Sequence, residues 1–254
     1  MQEKNKVVVV GLGEVGKPLL DLVSEYYDAV GVDISPVQGV GSVDVLHICY
    51  PFEIEDFVGE TARYIERFQP AVTIINSTVG VGTTRAVAER TGAAVVNSPV
   101  RGKHARMLEE LRSYTKYLGP VREADGELAA KHFEGMGVKT RTLSAPEATE
   151  LAKLAETTYF GLMIAWAQEI ERYCDRAGQN YDDVASFFDE ISFFPRVKYF
   201  PGVIGGHCVM PNIEILSKFG KSVLLDAIQC SNEMKVERET LRKNPAAVSH
   251  SVPV

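Results

Sequence analysis

The stretch Gly11-Leu-Gly-Glu-Val-Gly16 constrains the fold more than any other, because of what flanks it. Ahead of it, Lys6 to Val10 is a β-branched apolar run; behind it, Leu19, Leu20, Leu22 and Val23 recur at helical spacing. A second β-branched run, residues 29–32, closes on Asp33. Strand, glycine turn, helix, strand and acid at this spacing make a Rossmann-type dinucleotide cradle. Gly11 makes the tight turn, Gly13 admits a pyrophosphate against the backbone, and Gly16 lets the helix pack close to the strand. Leu12, Glu14 and Val15 complete the turn, and the helix start offers unpaired N–H groups to phosphate. Asp33 is placed to accept hydrogen bonds from the adenosine ribose and to repel a 2′-phosphate, which favours NAD over NADP.

Only nine residues, Ile34 to Ser42, separate Asp33 from the next apolar run, residues 43–50. In a doubly wound sheet that run lies parallel to the first strand, on its far side from the second. The return is roughly 20 Å, against an extended reach of about 30 Å. A bare loop spans it; a crossover helix does not fit. The expectation is a pared-down sheet without an outer strand, leaving the strand that ends at Asp33 as an edge.

A helix over 54–68 (Phe57, Val58, Ala62, Ile65) precedes a strand over 71–76, which ends in Ser77 and Thr78. Hydroxyls at a strand's carboxyl end face the crevice of an open α/β sheet. Thr83 or Thr84 would cap the following helix, which carries Val87 and Ala88. A further strand, 93–97, leads into Ser98-Pro-Val-Arg-Gly102. Two readings of Arg101 stand: a carboxylate or phosphate holder, or an arginine on a solvated loop. Leu143 closes a last short strand.

Ser144-Ala-Pro-Glu147 is a capping box with an early proline, and Gly178 is a C-terminal stop. The helix between them is a rod of roughly 50 Å with Leu151, Leu154, Ile164 and Ile170 on its stripe. Lys153 and Thr157 share one face, with Glu150 a turn earlier. On a solvated face Lys153 and Glu150 are an ordinary helix pair; facing a cofactor crevice, Lys153 is an ammonium placed against oxyanion charge. Helical stretches follow at 181–190 and from Ile213 to about Arg242. Cys174 and Cys230 fall within helices and read as packing residues. Between these helical stretches, Pro201-Gly-Val-Ile-Gly-Gly-His-Cys208 presents a thiol from a Gly-Gly turn. Such a thiol is either reactive or a small buried hydrophobe.

Composition narrows the classes. A formal charge of −7 without a basic cluster argues against nucleic acid, and no apolar run has the length of a bilayer span. The four cysteines form no CxxC pair and the five histidines no metal-ligand spacing. The chain thus reads as cytoplasmic and reducing, without a metal. Its fold class is α/β: a reduced Rossmann-type doubly wound parallel sheet (1–143), an α-helical dimerisation domain on a long central helix (144–243), and a disordered tail (244–254).

These pieces in this order resemble the UDP-glucose/GDP-mannose dehydrogenase superfamily, nearest its UDP-N-acetylhexosamine branch. Gly11–Gly16, Asn76-Ser-Thr-Val, Gly82-Thr-Thr, Ser98-Pro-Val-Arg, Glu150-Leu-Ala-Lys-Leu-Ala-Glu-Thr-Thr-Tyr159 and Pro201–Cys208 carry the resemblance. It implies an NAD-dependent oxidation of a primary alcohol, with Cys208 capturing the aldehyde, Lys153 steadying the oxyanion and Thr78 beside the nicotinamide. It also implies Tyr50, Pro51 and Ser77 as cofactor-binding. Arg101, Thr157, Gly205, Gly206, His207 and Asn212 are implied as substrate-binding, with a sugar or nucleotide sugar as the substrate class. A homodimer through the long helix would cover Tyr159, Phe160 and Trp166, as would burial in the chain's own helical lobe.

The sequence also departs from the family. Val100, Thr157 and Asn212 stand where the family has glutamate, asparagine and aspartate, and Met210 where it has proline. The family's third domain, which grips the nucleotide, has no counterpart here. A partner chain completing the site, a single two-electron oxidation of the β-hydroxyacid dehydrogenase kind, and a catalytically degenerate NAD-binding protein are therefore the alternatives.

Overall fold

The computed structural model describes residues 5–34, 39–102, 104–192, 199–206 and 208–243. The chain divides into two compact units, Met1–Lys153 and Leu154–Val254.

The first unit is a seven-stranded sheet. Its strands are β1 (Lys6–Val10), β2 (Asp28–Val32), β3 (Val45–Ile48), β4 (Val72–Ile75), β5 (Val95–Asn97), β6 (Lys116–Pro120) and β7 (Thr140–Thr142), in the order β2-β1-β3-β4-β5-β6-β7. All neighbours are parallel except β5 and β6, so the sheet is mostly rather than wholly parallel. The edge position of β2 matches the pared-down expectation. Residues 34 and 39–42 form no strand or helix, and residues 35–38 lie outside the described part. Buried on both faces, β1, β3 and β4 read as nearly continuous apolar runs, broken by His47 in β3 and Thr73 in β4.

Helices cover the two faces. One core packs α1 (Gly16–Ser24), α4 (Met107–Ser113) and α5 (Glu123–Glu134) on Val7, Val45, Ile74 and Leu118. The other packs α2 (Phe57–Phe68) and α3 (Thr83–Thr91) on Val8, Val10, Leu46 and Ile48. Each such fully buried side chain contributes roughly 1.5–3 kcal/mol. Asp56 caps α2 by accepting the Gly59 N–H at 2.8 Å, which moves its start from residue 54 to Phe57. The elements α4, β6 and α5 fill a stretch in which sequence reading places only the closing strand near Leu143. Their apolar positions are few, and α5 is short of strong periodicity because His132 and Asp125 are among its buried residues.

The helix α6 (Pro146–Ala177) begins in the first unit and continues into the second. It ends as expected at Gly178, with φ +67° and a Gln179 N–H bond to the Cys174 carbonyl. Leu151, expected on the apolar stripe, is exposed, whereas Leu154 is buried. The second unit adds α7 (Tyr181–Ser186), α8 (Val209–Phe219) and α9 (Val223–Lys243). The stretch expected as one helix from Ile213 to Arg242 is thus two. Gly220 is extended (φ −164°, ψ 136°) and ends α8. A core of Ala165, Ile204, Val209, Ile213, Leu225 and Ile228 joins α6, α8 and α9. Gly161 permits the close approach, since a Cβ there would lie 2.6 Å from Val209 Cγ1. Cys174 is buried as a packing residue, but Cys230 is exposed on α9. No described helix is long and apolar enough to cross a membrane.

Candidate active site

The glycine turn is built by the backbone. Gly11 has φ +86°, and a Cβ on it would meet the Tyr50 amide nitrogen at 2.6 Å. A Cβ on Gly16 would fall 1.7 Å from the Gly11 carbonyl oxygen, whereas one on Gly13 would meet nothing within 4 Å. Two glycines are therefore demanded by the fold itself. The third, Gly13, faces open space and leaves bare backbone uncovered. The start of α1 at Gly16 has no side-chain cap, so its amide groups stay available to an anion. Leu12, Glu14 and Val15 lie in the turn, with Glu14 exposed.

Beside this turn lies a cleft of about 630 Å³ at the carboxyl ends of β1, β2 and β3. Asp33, Glu55, Asp56 and Glu60 line it against a single guanidinium, Arg63, which pairs with Glu60. This surplus of carboxylates suits ribose hydroxyls and opposes a further phosphate. Tyr50 forms one wall, its hydroxyl 2.6 Å from Thr61 Oγ1, and burial raises its phenol pKa. Ser77, after β4, donates from its hydroxyl to the Tyr50 carbonyl at 2.6 Å and so ties the ends of β3 and β4 together. Pro51 is exposed and Thr78 half-buried.

The amino end of α6 is locked to α3 by two carboxylates. Glu150 accepts the Gly82 N–H at 2.7 Å and the Thr84 N–H at 2.8 Å. It therefore caps α3, the task expected of Thr83 or Thr84, and it is buried rather than paired on a solvated face. The cap comes from a distant segment because Gly82, at the N-cap, has φ +93° and no side chain. Burial raises the Glu150 pKa against the lowering effect of those bonds. Glu147, expected in a capping box, gives both oxygens to Arg85 at 2.6 and 2.9 Å. Its pKa is lowered chiefly by that pair. Lys153, one turn on from Glu150, is half-buried, and Thr157, in the second unit, is buried.

Arg101 is anchored rather than loose. It donates to the Thr115 carbonyl at 2.7 Å and lies over the Tyr117 and Tyr114 rings at 4.8 and 5.6 Å. Val100 is buried in the sheet's core.

In the second unit Cys208 is exposed at the N-cap of α8, with no side-chain cap there. The helix dipole favours negative charge at the amino end of a helix. Gly205 and Gly206 are exposed ahead of it, Gly206 with φ +80°. Asn212 is buried, and its backbone N–H bonds to the Cys208 carbonyl at 3.3 Å. His207 lies outside the described residues. Among the described residues no group of three or more His, Cys, Asp and Glu could hold a metal.

Sequence reading passed over a polar cluster inside the first unit: His47, Asn76, Lys116 and His132, all buried. The available signal was a histidine in the middle of the otherwise apolar run Val45–Ile48.

Residues 147–237 match the central domain of the UDP-glucose/GDP-mannose dehydrogenase family. A UDP-N-acetyl-D-mannosamine dehydrogenase of Methanococcus vannielii is 23% identical, over 82% of this chain and 60% of its own length. The chain thus spans about 60% of the length of the curated relatives it matches. Among solved structures, the UDP-D-ManNAc dehydrogenase of Pyrococcus horikoshii superposes with a TM-score of 0.80 at 22% identity, covering 94% of this chain and 72% of that one. A Mycobacterium tuberculosis 3-hydroxyisobutyrate dehydrogenase superposes with a TM-score of 0.69 at 16% identity, covering 93% and 94%.

Proposed function

We propose, from a chain that carries a UDP-glucose/GDP-mannose dehydrogenase central domain, that it acts as an NAD-dependent dehydrogenase oxidising the primary alcohol of a sugar or nucleotide sugar. One observation carries the reading: the matched stretch 147–237 contains both Lys153 and Cys208. Binding a coenzyme needs neither an ammonium nor a thiol there.

NAD fits the first unit: open backbone at Gly13, the uncapped start of α1, and Asp33 among carboxylates. Bound there, it supplies a two-electron oxidant for the alcohol carbon. Thr78 and Ser77 orient the reacting end. Cys208 Sγ adds to the aldehyde carbon, forming a C–S bond while the thiol proton passes to the carbonyl oxygen. Lys153 Nζ balances the negative charge that oxygen carries on the way. Loss of a second hydride, to an oxidised NAD that would replace the spent NADH, and of the hydroxyl proton gives a thioester, and water cleaves its C–S bond to release carboxylate and thiol. Val100 and Asn212 offer no carboxylate to activate that water. Cleavage is therefore the slow step. These substitutions favour a second reading, one two-electron oxidation that stops at the carbonyl.

The reading extends to a homodimer through α6. Tyr159, Phe160, Trp166 and Tyr173 remain about half exposed on it, so the chain's own lobe does not cover them.

Rapid-mixing measurement of NADH formation tests the reading with UDP-N-acetylhexosamines, other sugar alcohols and 3-hydroxy acids. A burst followed by slow turnover is expected, with Cys208→Ala abolishing acid but not NAD binding, and Asn212→Asp speeding the slow phase about tenfold or more. Burst-free oxidation that Cys208→Ala leaves intact supports the two-electron course. No NADH from any of them, with tight NAD binding, rejects both. In the folded protein Cys208 and Cys230 should alkylate and Cys49 and Cys174 should not. Only the Cys208 reaction should slow when NAD and substrate are present.

A further inference from the structure

Lys116, the first residue of β6, is 5% exposed, and no carboxylate among the described residues pairs with it. Its Nζ donates to the Ser98 carbonyl at 2.7 Å and to Asn76 Oδ1 at 3.2 Å. From Asn76 the bonds run on: Nδ2 donates to the Ile74 carbonyl and to His47 Nδ1, each at 3.1 Å. His47 Nε2 then lies 2.9 Å from His132 Nε2.

Protonated, Lys116 only donates, and the Asn76 Nδ2 bond to the Ile74 carbonyl fixes the same orientation of the row. The Asn76 oxygen must face Lys116, so its amide nitrogen faces His47, whose Nδ1 accepts and whose Nε2 carries the proton. His132 therefore accepts at Nε2 and keeps its proton on Nδ1, which is buried without a partner. Both imidazoles are neutral, consistent with burial lowering the pKa of each. The row has one direction, and a cation stands at its head.

The two groups that this cation holds stand at the starts of two segments. Asn76 precedes Ser77 and Thr78; Ser98 precedes Pro99, Val100 and Arg101. Both segments lie just past the carboxyl ends of β4 and β5, and the Val100 N–H reaches the Asn76 carbonyl at 3.4 Å. Cys49 after β3, Arg101 and Lys153 act electrostatically on the ammonium, and the Phe133 ring on α5 lies 5.3 Å from it. Two of these neighbours are cations. A buried charge in such company costs stability that an apolar side chain of equal length would not.

We propose that Lys116 is a positioning residue for the oxidation, holding the Thr78 segment and the Ser98–Arg101 segment in one fixed relation. The role rests on the dehydrogenase reading above. Burial, reinforced by Arg101 and Lys153, brings the Lys116 pKa down to about 7, so its hold on the two segments changes near neutrality. The groups facing it from the neighbouring elements are His47, Cys49, Asn76, Arg101, Lys153 and the Phe133 ring.

The test compares the full chain with Lys116→Met and Lys116→Arg. Amide exchange in residues 76–79 and 98–102 should quicken about tenfold or more in Lys116→Met and stay unchanged elsewhere. Its melting temperature should match or exceed the parent's, with the larger gain at pH 6 than at pH 9. With an active substrate, kcat should fall about tenfold or more at little change in KM for NAD, and the kcat–pH profile should lose its inflection near 7. Lys116→Arg should recover part of the loss. Exchange and kcat equal to the parent's overturn the proposal, as does faster exchange throughout the chain with a lower melting temperature. Should Lys116→Met not fold, Lys116→Gln takes the same measurements, and failure of both to fold makes Lys116 merely structural and overturns it. If the parent turns over nothing, the dehydrogenase reading falls, while exchange and melting still decide whether Lys116 holds the two segments.

Discussion

The two ends of the sheet's carboxyl edge are built by opposite means. At the β1–β2–β3 end the turn is made by backbone, with three glycines and an uncapped helix start, and beside it lies a cleft lined by Asp33, Glu55, Asp56 and Glu60. At the β4–β5–β6 end the order comes from buried side chains, a lysine handing hydrogen bonds through an asparagine to two histidines. The first end needs only local spacing. The second needs four residues far apart in the chain to meet in the core, and carries an ammonium that burial disfavours.

The largest break in this contrast is expected at Gly16. Gly16→Ala drives a Cβ to 1.7 Å from the Gly11 oxygen. It should cost about 3 kcal/mol or more in denaturant unfolding. Gly13→Ala, with nothing within 4 Å, should leave unfolding within about 1 kcal/mol while weakening NAD by roughly tenfold, about 1.4 kcal/mol. Equal effects at the two positions would mean the turn is not shared between fold and cofactor as described.

The side-chain end should show itself through pH. Lys116 titrates near 7 when folded and near its ordinary 10.5 when unfolded. Above about pH 7 the unfolded chain therefore keeps a proton that the folded one releases, and stability rises with pH. Below that, both states hold the proton and the full cost of the buried cation stands. The rise should run to about pH 9. Beyond it the Cys49 thiol, pushed up to about 12 by burial, ionises first in the unfolded chain and works the other way. Denaturant midpoints measured from pH 6 to 9 should climb in the parent and be flatter in Lys116→Met.

A smaller effect is expected where α6 meets α3. Glu150→Ala uncovers the Gly82 and Thr84 amides and should cost about 1–2 kcal/mol in the same unfolding measurement. The smallest belongs to the neighbouring pair. Arg85 and Glu147 are 40% and 32% exposed, so Arg85→Ala should cost about 0–1 kcal/mol, less at high salt. A larger loss at Arg85 than at Glu150 would reverse the order that burial assigns to these contacts.

Much of the first unit was legible beforehand. The glycine turn, Asp33 and the edge position of β2, and in the second unit the thiol ahead of α8, follow from spacing within 22 residues or fewer. The stretch from α4 to β7 was not. Its elements are specified by burial against a sheet assembled elsewhere, and buried polar positions such as His132 and Lys116 weaken any apolar period. The cap that Glu150 supplies was not legible for a related reason: an i to i+3 charge pair looks alike whether its face is wet or packed.

By itself, then, the sequence determined the strand, glycine turn, helix and strand that open the chain, the edge position of β2, and the long helix ending at Gly178, because glycine geometry, chain reach and helix stop signals act locally. Only the tertiary structure decided that Glu150 caps a foreign helix, that Arg101 lies against two tyrosines, and that Lys116 heads a buried row. Each depends on partners 13 to 85 residues apart, brought together by the packing of the sheet. Hydrogen bonds and desolvation act through space, and spacing along the chain does not encode them.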